Sequence, residues 1–90
     1  MSSYGILAVG FASGVPCPHA NQWLKSFDHD ACEGFGYGEF TYDPTQALCF
    51  TDKGDALAFW NRQSKVKPLR SDGLPNKPLT ALTVIIEQLT

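Results

Sequence analysis

The chain has 90 residues, a formal net charge of −2, and 43% apolar and 12% aromatic residues. That length is one domain and not two, and that much apolar surface builds a core, which excludes a disordered chain. No stretch approaches the roughly 18 apolar residues of a membrane span, and three cysteines without a CxxC pair exclude a disulfide framework.

Tyr4 to Phe11 is apolar on both alternating faces, as in a strand central to a sheet or covered on both sides. Met1-Ser2-Ser3 carries no basic n-region and the apolar run is broken by Gly5 and Gly10, so it reads as a strand and not a signal peptide. These features predict a cytoplasmic protein with reduced thiols. Ala12 to Ala20 is a loop, because Pro16 and Pro18 exclude regular structure. Asn21 to Asp28 fits both helix and strand. Strand is preferred, because Tyr37 to Tyr42 is β-rich and can pair back across a turn at 29–36. On that hairpin Phe40 and Tyr42 share one face, and Phe35 and Tyr37 the other.

Asp43-Pro44 is an N-cap followed by a first-turn proline, predicting about one helical turn over Thr45–Phe50. Thr51 or Asp52 then caps a longer helix running to about Ser64, with Ala56, Phe59, Trp60 and Gln63 on one side and Leu57 beside them. Lys65 to Pro78 holds three prolines and Asp72-Gly73 and should carry little regular structure. Thr80 to Leu89 returns to a strand with Leu82, Val84 and Ile86 on one face. The expected fold is α+β: a small, mostly antiparallel sheet of about four strands, β-β-β-α-β, with one main helix on a face and the last strand beside the first.

Trp23-Leu-Lys-Ser-Phe-Asp28, Asp43-Pro with Ala47 and Phe50, Ala56 and Trp60, and the block from Ser64 through Lys-Val-Lys-Pro-Leu-Arg-Ser-Asp-Gly-Leu-Pro-Asn-Lys-Pro-Leu to Thr80 together resemble a group of short phage- and prophage-encoded proteins of no established activity. The resemblance spans about residues 21–86. It implies a phage accessory protein that meets host or phage components, and it brings no catalytic residues with it.

The strongest candidate site is the proline-rich basic loop. A structureless connection this long is uncommon in a compact domain and is often functional, and its prolines reduce the entropy lost on ordering. Lys65, Lys67, Arg70, Asn76 and Lys77 are the expected contacts to a protein partner, with the acidic middle (Asp28, Asp30, Glu33, Glu39, Asp43, Asp52, Asp55) as a second patch. The bland alternative is a solvated crossover. Nucleic acid, bound through the basic 62–77 loop, is the alternative partner, weakened by the acidic overall balance and by aromatics lying elsewhere in the sequence. One of the two aromatic sets of the hairpin should pack in the core, and the other could be an apolar patch for a partner or for a second copy of the chain.

Other constellations are weaker. Cys17, His19, His29 and Cys32 are zinc-type ligands at no standard spacing. Asp28, Asp30 and Glu39 match calcium-loop positions, but the required glycine is Glu33. Gly34, Gly36 and Gly38 are no phosphate loop, since no helix follows. Cys17 with His19 or His29 has the chemical types of a nucleophile and base, but nothing in sequence brings them together. The expectation is therefore a non-enzymatic protein with no catalytic residues, no metal, no cofactor and no membrane contact, which binds and possibly inhibits a larger partner.

Overall fold

The computed structural model describes residues 3–89. Four strands, β1 (Tyr4–Phe11), β2 (Trp23–Asp28), β3 (Tyr37–Thr41) and β4 (Leu82–Gln88), form one antiparallel sheet in the order β3-β2-β1-β4. The main helix, Lys53–Trp60, lies across one face. The α+β class and the placement of the last strand beside the first are as the sequence predicts. So is the strand reading of residues 23–28, whose edge pairs with β3 from Trp23↔Thr41 to Asp28↔Tyr37.

Alternation decides which side chains enter the core. Ile6 and Leu24 are fully buried on the helix side, and Leu82 is buried there with Val84 and Ile86 packed beside it. Ala56 and Leu79 close the same cluster, with Phe27, Phe40, Phe50, Phe59 and Trp60 around it. Each fully buried Ile or Leu contributes about 1.5–3 kcal/mol. The opposite face has no second layer: Val9 and Ile85 are exposed, and Trp23 and Leu89 fold over Gly5, where a Cβ would stand 3.0 Å from the Trp23 ring. β1 is thus central in the sheet, but it is covered on one side only.

β1 and β2 meet at a single register pair, Leu7↔Trp23, and then diverge. The extended segment Ala47–Phe50 fills the gap. Leu48 N–H donates to the Leu24 carbonyl (2.9 Å), and Tyr4 and Phe50 exchange two backbone hydrogen bonds (2.9 and 2.8 Å). This corrects the helical turn expected over Thr45–Phe50. Asp43 does cap, accepting from the Thr45 amide at 2.9 Å, but the turn is a 3₁₀ turn limited to Pro44–Gln46.

The main helix starts where predicted, with Asp52 accepting from the Asp55 amide at 2.9 Å, but it stops at Trp60 and not near Ser64. Its last carbonyls are claimed from outside. The Phe59 carbonyl accepts from Arg62 N–H (3.2 Å) and from the His29 ring (3.0 Å), and Ser64 N–H turns away to the Asn76 carbonyl (2.9 Å). Leu57 is exposed, and Gln63 bonds to the Pro68 carbonyl instead of packing on the sheet. The Trp60 indole donates to the Leu82 carbonyl at 3.1 Å, which pins the helix end to β4. Tyr42 lies beyond the end of β3 and is exposed, so it does not share the core face with Phe40. A 3₁₀ turn, Pro78–Ala81, leads into β4.

Candidate functional site

The turn between β2 and β3 is a left-handed helical turn. Cys32 (φ 54°, ψ 44°) and Glu33 (φ 58°, ψ 33°) sit in the left-handed region, followed by Gly34 at φ 92°. Non-glycine residues pay about 1–2 kcal/mol each in that region and hold it only where their surroundings insist. Here Phe35 N–H bonds to the Cys32 carbonyl (3.2 Å) and Gly36 N–H to the Ala31 carbonyl (2.9 Å). The result is Phe35 held outward, 73% exposed.

The proline-rich loop is ordered against this turn. Asp30 accepts from the Lys65 amide (2.7 Å) and from the buried Ser64 hydroxyl (3.2 Å), and Ser64 Oγ in turn accepts from Lys67 N–H (3.3 Å). The Lys65 amide first, then Ser64, holds the Asp30 carboxyl below its ordinary value, so this anchor stays ionised at neutral pH. The Asn76 side-chain amide donates to the Gly34 carbonyl (2.7 Å) and the Lys67 carbonyl (2.9 Å), joining turn to loop. Leu69 bridges Pro75, and Arg70 N–H donates to the Leu74 carbonyl (2.8 Å), closing a hairpin-like tip at Gly73 (φ 85°). The loop expected to have little regular structure is therefore built from specific hydrogen bonds, one isolated bridge and caps.

Turn, loop and the segment after β1 surround a cleft of about 680 Å3. Phe11, Phe35, Pro75 and Pro78 supply apolar wall, and Lys67, Arg70 and Lys77 supply cations; no Asp or Glu lines it. The Lys67 ammonium stands over the Phe35 ring, 5.2 Å from its centroid. Arg70 is already engaged by Asp72 through two bonds (3.2 and 2.8 Å), which also hold the Asp72 carboxyl low, after the larger effect of the Leu74 amide.

Of the five contacts expected from sequence, Lys67, Arg70, Asn76 and Lys77 line this cleft and Lys65 does not. Asn76 holds the site together more than it faces a partner, since both its amide hydrogens are directed at backbone carbonyls. Within the acidic middle, Asp43 and Asp52 are helix caps, Asp30 is the loop anchor and Asp28 accepts from the Asp30 amide. Phe35 belongs to the hairpin aromatics expected to form either core or an apolar patch, and it is exposed, flanked by Gly34 and Gly36 at positive φ; nothing in the sequence marks Phe11 as part of the cleft.

The suggested metal and nucleophile sets are dispersed. His19 stacks on Phe40 (centroids 4.1 Å apart), while Cys32 and Cys49 are exposed. Among the described residues no three His, Cys, Asp or Glu side chains are placed to hold one ion. No helix among them is long and apolar enough to cross a membrane.

His29 is buried between the edges of Phe27 and Phe59 (4.8 and 4.9 Å), so it is not solvent-facing. Its Nε2–H donates to the Phe59 carbonyl, and burial lowers its pKa below 6.5, with Arg62 adding to the fall and the bond to Phe59, Asp30 and Asp28 opposing it. The folded state then binds fewer protons than the unfolded one as pH drops through 6.5. Stability from this group is full above that pH and is lost below it, by at most about 1.4 kcal/mol per pH unit for one proton. Urea midpoints measured from pH 8 down to pH 5 should fall below about 6.5 in the native chain, and His29→Gln should flatten that fall. An equal slope in the variant would assign the acid sensitivity elsewhere.

Comparison of the chain with protein-family models, curated proteins and solved structures returned no match.

Proposed function

We propose that this chain is a non-enzymatic binding module that covers a surface on a larger protein, with the cleft between the left-handed turn and the proline-rich loop as its contact surface. The observation that carries this reading is the convergence of Phe35, Lys67 and Lys77 at one cleft without an acidic side chain in its lining, on a turn held in a costly backbone conformation. Elsewhere on the same loop Val66, Leu69 and Leu74 are all more than half exposed. Exposed apolar groups beside cations suit a protein surface. His29 is committed to the Phe59 carbonyl and the His19 ring to the face of Phe40, and this reading gives neither a catalytic role. The phage or prophage setting, a cytoplasmic bacterial location and inhibition of the partner belong to the same proposal and rest on the resemblance over residues 21–86.

One observation favours nucleic acid as a second reading. Phe35 and Lys67 are far apart in sequence but share one surface, and a ring beside a cation is how single strands are gripped.

The test is capture from bacterial lysate by the tagged protein, with and without nuclease, against a Lys67→Ala/Lys77→Ala variant. The variant keeps the Lys67 Cβ that packs on Gly34 and every backbone bond of the loop, so the fold should survive. A protein retained after nuclease and lost with the variant is the expected result. Capture that vanishes with nuclease moves the assignment to nucleic acid, and a partner held equally by the variant removes the cleft from the interface.

A further inference from the structure

The charge pattern of the cleft identifies its occupant more narrowly, granted that the cleft is the contact surface. Among the described residues the one ion pair is Arg70–Asp72, so Arg70 is satisfied within the loop. Lys67 faces only the Phe35 ring and Lys77 has no carboxylate partner, although it is half-buried in the wall. Two cations are therefore held at an apolar cleft with their counter-charges missing. An isolated ammonium near apolar surface gains most from a carboxylate that arrives with its own apolar neighbour. Phe35, Pro75 and Pro78 line the cleft together with the two lysines, so apolar surface and positive charge are offered to the same occupant. A polyphosphate strand fits less well. Only two free cations are offered, beside Phe11, Phe35, Pro75 and Pro78, whereas a nucleic-acid strand is held chiefly by neutralising many phosphates.

We infer that the cleft takes an acidic peptide segment of a partner protein, its carboxylates on Lys67 and Lys77 and an aromatic or large apolar side chain against Phe35, Pro75 and Pro78.

The experiment is an NMR titration of the isotope-labelled full chain. The probes are a blocked peptide of glutamates around one phenylalanine, the same peptide with glutamines, and a thymidine oligonucleotide. The glutamate peptide should shift the amides of Gly34, Phe35, Lys67 and Lys77 and should weaken with added salt. Lys67→Ala/Lys77→Ala should bind it about three- to thirtyfold more weakly, the range of two partly exposed ion pairs. Phe35→Ala should weaken it without changing its salt dependence. Equal binding of the glutamine peptide at the same amides overturns the acidic occupant and leaves the cleft as a contact surface. An oligonucleotide that shifts those amides at lower concentration than the glutamate peptide overturns both and moves the site to nucleic acid. If neither peptide shifts them, the peptide occupant is wrong.

Discussion

Gly34→Ala is expected to cost about 2–4 kcal/mol and to lift the proline-rich loop off the left-handed turn. Two effects add. Gly34 sits at φ 92°, where an alanine is strained, and its new Cβ would stand 2.6 Å from Lys67 Cβ and 3.2 Å from both Asn76 Nδ2 and Ser64 Oγ. The first neighbour is the root of a side chain and cannot swing aside, so the loop backbone must move. For a domain this size the loss corresponds to a fall in melting temperature of about 10–25 °C. Gly73→Ala separates the two effects: its φ is 85°, but nothing lies within 4 Å of the added carbon. It should cost only the backbone strain, about 1 kcal/mol. If Gly34→Ala costs no more than Gly73→Ala, the loop is not seated on the turn as described.

Asn76→Ala should cost about 2–3 kcal/mol, because it strands the Gly34 and Lys67 carbonyls that the side-chain amide now joins. Asn76→Asp should be no better, since it turns a donor into an acceptor against two other acceptors. Hydrogen exchange locates the damage. The amides of Ser64, Lys67 and Arg70, all donors inside the loop, should lose protection, while those of β1 and β4 keep theirs after correction for global stability. An Asn76→Ala protein with unchanged stability but lost partner binding would reverse the conclusion and make Asn76 a direct contact.

The two variants probe the same joint, and that joint is where reading the sequence and seeing the structure part company. Strand positions were legible because alternation is a local property: Leu82, Val84 and Ile86 face the core because they are two apart. Caps were legible for the same reason, since Asp43 and Asp52 bond to amides two and three residues on. The end of the main helix was not, because the groups that stop it, His29 and Asn76, come from other parts of the chain. Asn76 shows the same limit, since nothing local in the sequence reveals that its side-chain amide joins the Gly34 and Lys67 carbonyls.

Composition, alternation and capping residues by themselves determined the α+β class and set the last strand beside the first, while at residues 21–28 they left a preference for strand that the pairing of Trp23–Asp28 with Tyr37–Thr41 decides. Tertiary structure alone decided what the loop is. It brought Asp30 to Ser64 and Lys65, laid Lys67 over Gly34 and Phe35, and set Lys77 in the same cleft. The physical reason is the range of each interaction. Periodicity and capping act within one turn or one strand, whereas a binding cleft is made of contacts between segments that meet only once the sheet has ordered them.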